Sequence, residues 1–356
     1  MFTKMMRESL ANNIRYVEPV GYDAATGLTA QVYRQLQADF MPAPLVVLHS
    51  LIPEVMAGVW SMLRETLMAG SVNRSHKEAV AATISKANEC PFCVDAHTVM
   101  LRATSNDDVA NAILNGTPSN IQDPQLQALV QWIWANRTSN PDPVLPVPFS
   151  QSDVPEIIGT AVTFHYMNRM ANVFLGDALL PIQLPSTLKD MTYRMYAATE
   201  GKRIVRSLPS GESLTFLPQA ELPEDMSWAA GNPSVASAFA GVAKVVEETG
   251  ERVLPEAVRQ LVSEQVQAWN GGAMGMSRRW VDDMIASARI ETEHRAVVRL
   301  ALLTAFASYQ VDAGIVDAFR SQYPQDAQLI AATAWASFMA ARRAGEWLIA
   351  SFKMAV

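Results

Sequence analysis

Residues 76–97, HKEAVAATISKANECPFCVDAH, decide how this chain is interpreted, because they combine helical periodicity with the only two cysteines of the sequence. Apolar residues recur at three- and four-residue spacing before Cys90, which is typical of an amphipathic helix. Pro91 suits the first turn of a second helix and disfavours the α conformation at the residue before it. The stretch therefore predicts a helix, a break and a second helix, with Cys90 at the N-cap and Cys93 in the first turn.

The same helical period continues along most of the chain, and Ala, Leu, Met, Glu and Gln are abundant in it. It predicts helices at 76–88, 93–104, 124–137, 154–175, 232–249, 255–269, 277–288, 293–308 and 326–350. Strand signals are scarce, and an apolar run such as 143–148 is interrupted by proline and indicates a connector. The sequence predicts an all-α fold.

The bulk composition describes a globular chain. With 356 residues, 49% apolar and 18% charged, it is long enough for two cores of roughly 150 residues each. The formal charge of −7 disfavours partners with an anionic surface, so neither nucleic acid nor membrane is expected. No signal-peptide pattern and no uncharged apolar run of about 18 residues is present, which favours a cytoplasmic protein.

Two parts of the chain resemble each other and predict a tandem duplication. Glu-Ala-Val at 78–80 recurs at 256–258, and 159–176 aligns with 332–349, pairing Arg169 with Arg342. The expected organisation is a first helical unit at 1–180, a proline-interrupted linker at 181–228 with a short helix around 187–199 inside it, and a second copy at 229–356. In this register the second copy has Ala268 and Gly271 at the cysteine positions and Gly275 at the histidine position, so it is expected to be a degenerate copy without thiol chemistry.

The candidate catalytic residues are Cys90, Cys93, His97 and Glu78. A lone pair of cysteines three residues apart favours a redox or metal function over a disulfide scaffold. A helix N-terminus stabilises a thiolate and lowers the pKa of a cysteine, and His97 lies one turn beyond Cys93, close enough to exchange a proton with it. If the two helices form an antiparallel hairpin, Glu78 falls within about one helical turn of His97 and is positioned to orient the ring.

Other interpretations of the cysteine pair remain open. Tetrahedral zinc needs four ligands, but the chain has no second cysteine pair and only five histidines. Haem attachment needs a histidine directly after the second cysteine, where Val94 stands. A buried structural pair stays an alternative. Neither a metal nor a cofactor is expected.

The spacing Glu, eleven residues, Cys-x-x-Cys, three residues, His is met at Glu78, Cys90, Cys93 and His97. This pattern resembles the core motif of the alkylhydroperoxidase D family, within the carboxymuconolactone decarboxylase superfamily. The likeness is close over 76–102 and looser from about 45 to 180. The residue between the cysteines and after the proline is often polar or tyrosine in relatives, whereas Phe92 stands here.

The resemblance implies an all-α domain that forms homo-oligomers and acts as a thiol-dependent, antioxidant peroxidase. By analogy, Cys93 attacks the peroxide, Cys90 resolves the sulfenic acid to a disulfide, and His97 and Glu78 relay the proton. An external dithiol or thioredoxin-like reductant is expected to regenerate the pair by attacking Cys90 as the more exposed sulfur. Two alternatives are kept: a non-redox lyase of the carboxymuconolactone decarboxylase type, whose members generally lack the cysteine pair, and a CxxC redox-sensing protein.

His165 and Arg169 lie one turn apart in the helix predicted at 154–175. They are expected either to border a substrate pocket or, as such pairs more often do, to satisfy each other at the edge of the core.

Overall fold

A computed structural model describes residues 13–355 of the chain, apart from 42, 105, 180–184 and 289. This part contains fifteen α-helices and, in place of strands, only two isolated β-bridges, which confirms the predicted all-α fold. The helices are α1 Gly27–Asp39, α2 Pro44–Leu48, α3 Pro53–Leu63, α4 Arg74–Ala87, α5 Pro91–Ala103, α6 Asp107–Asn115, α7 Pro124–Ala135, α8 Val154–Phe174, α9 Ser186–Ile204, α10 Pro233–Val253, α11 Glu256–Ala268, α12 Arg279–Ser287, α13 Arg295–Ala307, α14 Ala313–Arg320 and α15 Asp326–Ala355.

The helix ends follow from local sequence chemistry. Proline is the first residue of α2, α3, α5, α7 and α10, where its fixed φ suits the first turn and its missing N–H costs no hydrogen bond. Side chains of Asn73, Asp123 and Asn232 accept hydrogen bonds from backbone N–H groups at the starts of α4, α7 and α10. Among the described helices, none is both long and apolar enough to cross a membrane.

The centre of the molecule is the contact between α8 and α15. Every residue of α8 except Asn172 is buried, so this helix has neighbours on all sides, including α4 and α15. A Cβ added at Gly345 of α15 would lie 2.9 Å from Val162 Cγ2 and 3.2 Å from Trp228 Nε1. The absence of a side chain at Gly345 therefore lets α8 and α15 approach closely.

The helices α4 and α5 form a hairpin that packs against α8 on one side and against α6, α7 and α9 on others. α9 lies inside the predicted linker 181–228, and its side chains hold α5. The Tyr193 hydroxyl donates a hydrogen bond of 2.9 Å to Asp95 of α5, and Lys189 Nζ forms an ion pair of 2.6 Å with the same carboxylate. Residues 1–12 and 181–184, with which the predicted first unit and the predicted linker begin, lie outside the described residues.

The second half contains the positions that the predicted duplication matches to the site. Ala268 ends α11, and Gly271 and Gly275 lie in the segment between α11 and α12. A helix, a short break at Ser308–Gln310 and a second helix also occur as α13 and α14, in the same order as α4, the cysteine turn and α5. The duplication stays a prediction. If it is real, α13 and α14 could correspond to α4 and α5 in an alignment that differs from the one predicted above.

Candidate active site

The two cysteines lie at the break between α4 and α5. α4 ends at Ala87, Glu89 adopts a positive φ of 52°, and Cys90 is the extended N-cap of α5 with φ −108° and ψ 90°. The Cys90 N–H donates to Ser85 O at 3.0 Å, and the Val94 N–H donates to Cys90 O at 3.0 Å. The turn is therefore hydrogen-bonded to both helices, and the predicted placement of Cys90 at the N-cap and of Cys93 in the first turn is confirmed.

Both cysteines are free thiols, and both are buried, with exposed fractions of 1% for Cys90 and 3% for Cys93. Their side chains are close enough to influence each other's ionisation. Burial raises the pKa of Cys90 well above its ordinary value, and the neighbouring thiol and Asp177 act in the same direction. The expectation that the helix N-terminus lowers the pKa of this sulfur is wrong, because the loss of solvation outweighs the helix dipole.

The expectation that Cys90 is the more exposed of the two is not met in this structure, because both residues are buried to a similar degree. A reductant that attacks Cys90 would therefore need the turn to open first.

His97 and Glu78 form a buried pair across the hairpin. His97 Nδ1 lies 2.7 Å from Glu78 Oε2, and the Glu78 side chain is completely buried. The other carboxylate oxygen, Oε1, accepts a hydrogen bond of 2.7 Å from Arg74 Nε. Burial works against ionisation of Glu78, but the Arg74 charge and the His97 hydrogen bond outweigh it and lower the pKa of this carboxyl below its ordinary value.

These contacts determine which nitrogen of His97 carries the hydrogen. An ionised carboxylate can only accept, so Nδ1 must be the donor to Glu78 and Nε2 of the neutral ring is left with a lone pair. Within the described residues no hydrogen bond reaches Nε2. His97 lies four residues beyond Cys93, one turn further along the same face of α5. The pair is thus arranged as a carboxylate-oriented base beside a thiol.

A small apolar cavity of about 80 Å³ opens against the His97 ring. Among the described residues, His97 is the only titratable one that lines it, and the other walls include Phe92, Met100, Phe164 and Met167. Phe164 of α8 meets the imidazole edge to face, with ring centroids 4.2 Å apart. The cavity is therefore suited to a small molecule with an apolar body rather than to an ion.

The donor set does not describe a metal centre. Glu78 is occupied by Arg74 and His97, and the two thiols lie beside each other. Within the described part of the chain, one group of side chains is close enough to share a metal ion, at Glu291, Glu293 and His294. Its two glutamates are exposed, and it contains no residue of the cysteine site.

The structure pairs Glu78 with His97 and places Cys90 beside Cys93, and it adds two residues that the prediction missed. Arg74 stands four residues before Glu78, so the spacing of a helical ion pair was present in the sequence. Phe164 comes from a helix distant in sequence, and no local pattern marks its contact with His97. His165 and Arg169 are buried at 3% and 4% exposure and line a different cavity.

The fold and the site define an all-helical protein with a buried dithiol at a helix N-terminus, next to a carboxylate-oriented histidine. A relative from Mycobacterium tuberculosis (strain ATCC 25618 / H37Rv), named alkyl hydroperoxide reductase, is 37% identical over 337 residues, which cover 94% of this chain and 95% of the relative. No family model and no solved structure matches the chain. The similarity to the relative extends over nearly the full length of both chains, and the chain belongs to the alkylhydroperoxidase D-like family.

Proposed function

We propose that this protein is a thiol-dependent peroxidase that reduces hydrogen peroxide or organic hydroperoxides through a Cys90/Cys93 thiol–disulfide cycle. The observation that carries the proposal is the buried Glu78–His97 pair, held by Arg74 and lying one turn from Cys93. The name of the relative, alkyl hydroperoxide reductase, supports the same reaction class.

In the first step, the Cys93 thiol transfers its proton to His97 Nε2. The thiolate sulfur then attacks the terminal peroxide oxygen, so that an S–O bond forms while the O–O bond breaks. The departing oxygen takes the proton from His97 and leaves as an alcohol, or as water when the substrate is hydrogen peroxide. Glu78 holds the ring in the tautomer that can accept the proton and stabilises the imidazolium that forms transiently.

In the second step, the Cys90 sulfur attacks the sulfenic sulfur of Cys93. A disulfide forms, and the hydroxyl leaves with the Cys90 proton as water. The raised pKa of Cys90 is consistent with a residue that stays protonated until this step. One thiolate of an external dithiol or thioredoxin-like reductant then attacks the disulfide, releases one cysteine and forms a mixed disulfide with the other. The second thiol of the reductant releases the remaining cysteine, so the reductant becomes a disulfide and both cysteines return to thiols.

The apolar walls of the cavity beside His97 favour an organic hydroperoxide with a small apolar group. Phe92, Met100 and Met167 offer contacts to such a group and none to a charged one. We therefore expect tert-butyl hydroperoxide to oxidise the reduced protein faster than hydrogen peroxide does.

Stopped-flow oxidation of the reduced protein tests the proposal. Cys93→Ser is expected to abolish fast oxidation, while Cys90→Ser should retain it and accumulate a sulfenic acid that dimedone traps. His97→Gln should slow the step by about 10² or more, the usual contribution of a general base. His294→Gln is the matched control, because His294 lies at the start of α13, remote from the cysteine turn in sequence. Oxidation of the wild-type thiols no faster than that of free cysteine would contradict the peroxidase function.

The burial of both sulfurs favours a second candidate, a redox-sensing protein whose disulfide changes conformation rather than turning over peroxide. The two functions differ in their steady state. A peroxidase consumes many equivalents of peroxide per chain when an excess of dithiol is supplied. A sensor is oxidised once, and its disulfide is reduced back to thiols only slowly. Measuring peroxide consumption against dithiol consumption over repeated cycles separates them.

A further inference from the structure

A second cavity, of about 440 Å³, lies between the end of α4, helix α8 and two segments of the second half, 269–273 and 306–309. It shares no lining residue with the apolar cavity beside His97. Its volume is in the range of small-molecule sites. The peroxidase chemistry proposed above makes no use of it.

A buried arginine without a counter-charge forms part of its wall. The Arg169 Nε donates to Ala305 O at 2.8 Å, and Nη1 donates to the carbonyl oxygen of His165 at 2.7 Å. No carboxylate pairs with Arg169 among the residues that the structure describes. Burial lowers its pKa to about 10, so the guanidinium stays charged at neutral pH.

Arg342, the residue that the sequence repeat pairs with Arg169, shows the usual arrangement. It binds Asp225 in bidentate fashion, with both distances 2.7 Å. An enclosed cation without such a partner is costly, because neutral carbonyl oxygens and an aromatic ring replace only part of the hydration that burial removes. Arg169 is therefore expected to gain most from an anion that enters the cavity.

His165 supplies a second donor. Its Nδ1 lies 3.2 Å from Asn88 Nδ2 and 3.4 Å from Arg169 Nη1. Both of these neighbours can only donate, so Nδ1 accepts and the ring hydrogen is on Nε2. Nε2 is buried and has no hydrogen-bond partner in the described part of the chain, although nearly all buried polar groups are hydrogen-bonded. Burial and the Arg169 charge keep the pKa of His165 well below its ordinary value, so the ring is a neutral donor.

The remaining walls are aromatic and firmly held. Trp269 and Phe306 have ring centroids 5.3 Å apart, and the Arg169 guanidinium lies 5.6 Å from the centre of the Trp269 ring. Gly271 has φ +89°, and a Cβ there would lie 2.5 Å from Arg137 O. This glycine lets the 269–273 segment pass close to the end of α7, where the Ser139 N–H donates to Asn270 O at 2.8 Å.

The charges around the cavity favour an anion. Lys86, Arg137 and Arg169 line it, against one carboxylate, that of the exposed Glu89. Lys86 Nζ is directed to two carbonyl oxygens, at 2.7 and 2.6 Å, so it contributes charge rather than a free donor.

We propose that this cavity binds a small organic carboxylate, with the carboxylate on Arg169 and His165 and an apolar or aromatic body against Trp269 and Phe306. The site lies at the C-terminal end of α4, next to the turn that carries Cys90. Its lining residues and their chemistry differ from those of the thiol site. The ligand class follows from the donor set: two fixed donors, one of them charged, beside flat apolar walls.

The test uses 4-iodobenzoate as the probe and 4-iodobenzamide as its neutral counterpart. Calorimetric titration of the wild-type protein is expected to give saturable one-site binding of the benzoate. The benzamide should bind about tenfold or more weakly, since a hydrogen bond to a charged group is worth more than a neutral one. Arg169→Gln should weaken benzoate binding by a similar factor. Arg342→Gln, which removes a half-buried and paired arginine, should leave it unchanged.

Anomalous diffraction from crystals of the wild-type protein soaked in 4-iodobenzoate gives a readout that no folding defect can disturb. The expected iodine position is between Trp269 and Phe306, with the carboxylate at Arg169. Iodine found only beside His97 or on the surface would overturn the proposal, as would equal binding of the benzamide or the absence of saturable binding.

Discussion

Replacing Glu78 with glutamine isolates the charge at the centre of the candidate active site. The carboxylate accepts 2.7 Å hydrogen bonds from both Arg74 Nε and His97 Nδ1. Arg74 Nη1 and Nη2 are buried and have no hydrogen-bond partner among the described residues. Glu78 is therefore the anion that balances the Arg74 charge. Breaking a buried pair by neutralising one member leaves the other uncompensated, and we expect the free energy of unfolding to fall by about 3–5 kcal/mol.

The same substitution should impair the chemistry through the histidine tautomer. The glutamine side chain has one oxygen and one NH₂ group, and the Arg74 donor attracts the oxygen. The NH₂ group then faces His97 and donates to Nδ1, which moves the ring hydrogen to Nε2. His97 can no longer take the Cys93 proton, and oxidation by peroxide should slow by about 10²–10⁴.

Three measurements check this reasoning. Urea unfolding gives the change in stability, stopped-flow oxidation gives the rate, and the imidazole ¹⁵N shifts report the tautomer. The matched control is Glu156→Gln, because Glu156 is also buried and paired, with Lys77 Nζ at 2.8 Å. It should lose comparable stability with no change in oxidation rate. The tautomer argument is refuted if Glu78→Gln oxidises as fast as the control, or if Nδ1 keeps its hydrogen.

Three further predictions concern the rest of the molecule. Burial lowers the pKa of His49 from 6.5 to about 4, so the unfolded chain binds a proton at this residue at a higher pH than the folded chain does. The free energy of unfolding should therefore fall by on the order of 3 kcal/mol as the pH drops from 6.5 towards 4. Urea titrations at several pH values should show that His49→Gln lacks this pH-dependent loss. Gly345→Ala should lower the melting temperature through a loss of about 1–3 kcal/mol, because the new methyl group meets Val162; an unchanged melting temperature would mean that α8 and α15 separate easily. The two thiols, at 1% and 3% exposure, should react with Ellman's reagent far more slowly in the native protein than in urea, and equal rates would show that the turn is open.

The burial of the thiols bears on how the proposed cycle closes. Reduction of a disulfide requires a thiolate to approach one sulfur along the S–S axis, and neither sulfur is accessible in the reduced fold. The cysteine turn contains Glu89 with a positive φ, a conformation that is strained for a residue with a side chain. We expect the turn to open during the cycle, and faster amide exchange around residues 88–92 in the oxidised than in the reduced protein would detect it.

The predicted helices show which features of the fold follow from the apolar periodicity of the sequence. All nine segments predicted from apolar spacing are helical, and Pro91 alone was enough to place Cys90 at the N-cap and Cys93 inside the first turn. These features are local, since they depend on residues within one or two turns of each other. The sequence also placed a short helix around 187–199 inside the predicted linker, but it did not show that this helix, α9, packs on the cysteine helix. Composition alone does not show whether an interrupted segment has a surface to pack against.

The sequence by itself determined the all-α class, the hairpin with its Cys-x-x-Cys turn, and the pairing of Glu78 with His97 across that hairpin, because each depends on helical spacing and on chain reversal over three residues. Only the tertiary structure decided the solvation of the two sulfurs, the apolar wall that Phe164 brings to His97, and the unpaired charge of Arg169. These properties depend on which distant helices exclude water from a given side chain. The free energy of a charge is set by that exclusion, which local spacing does not encode.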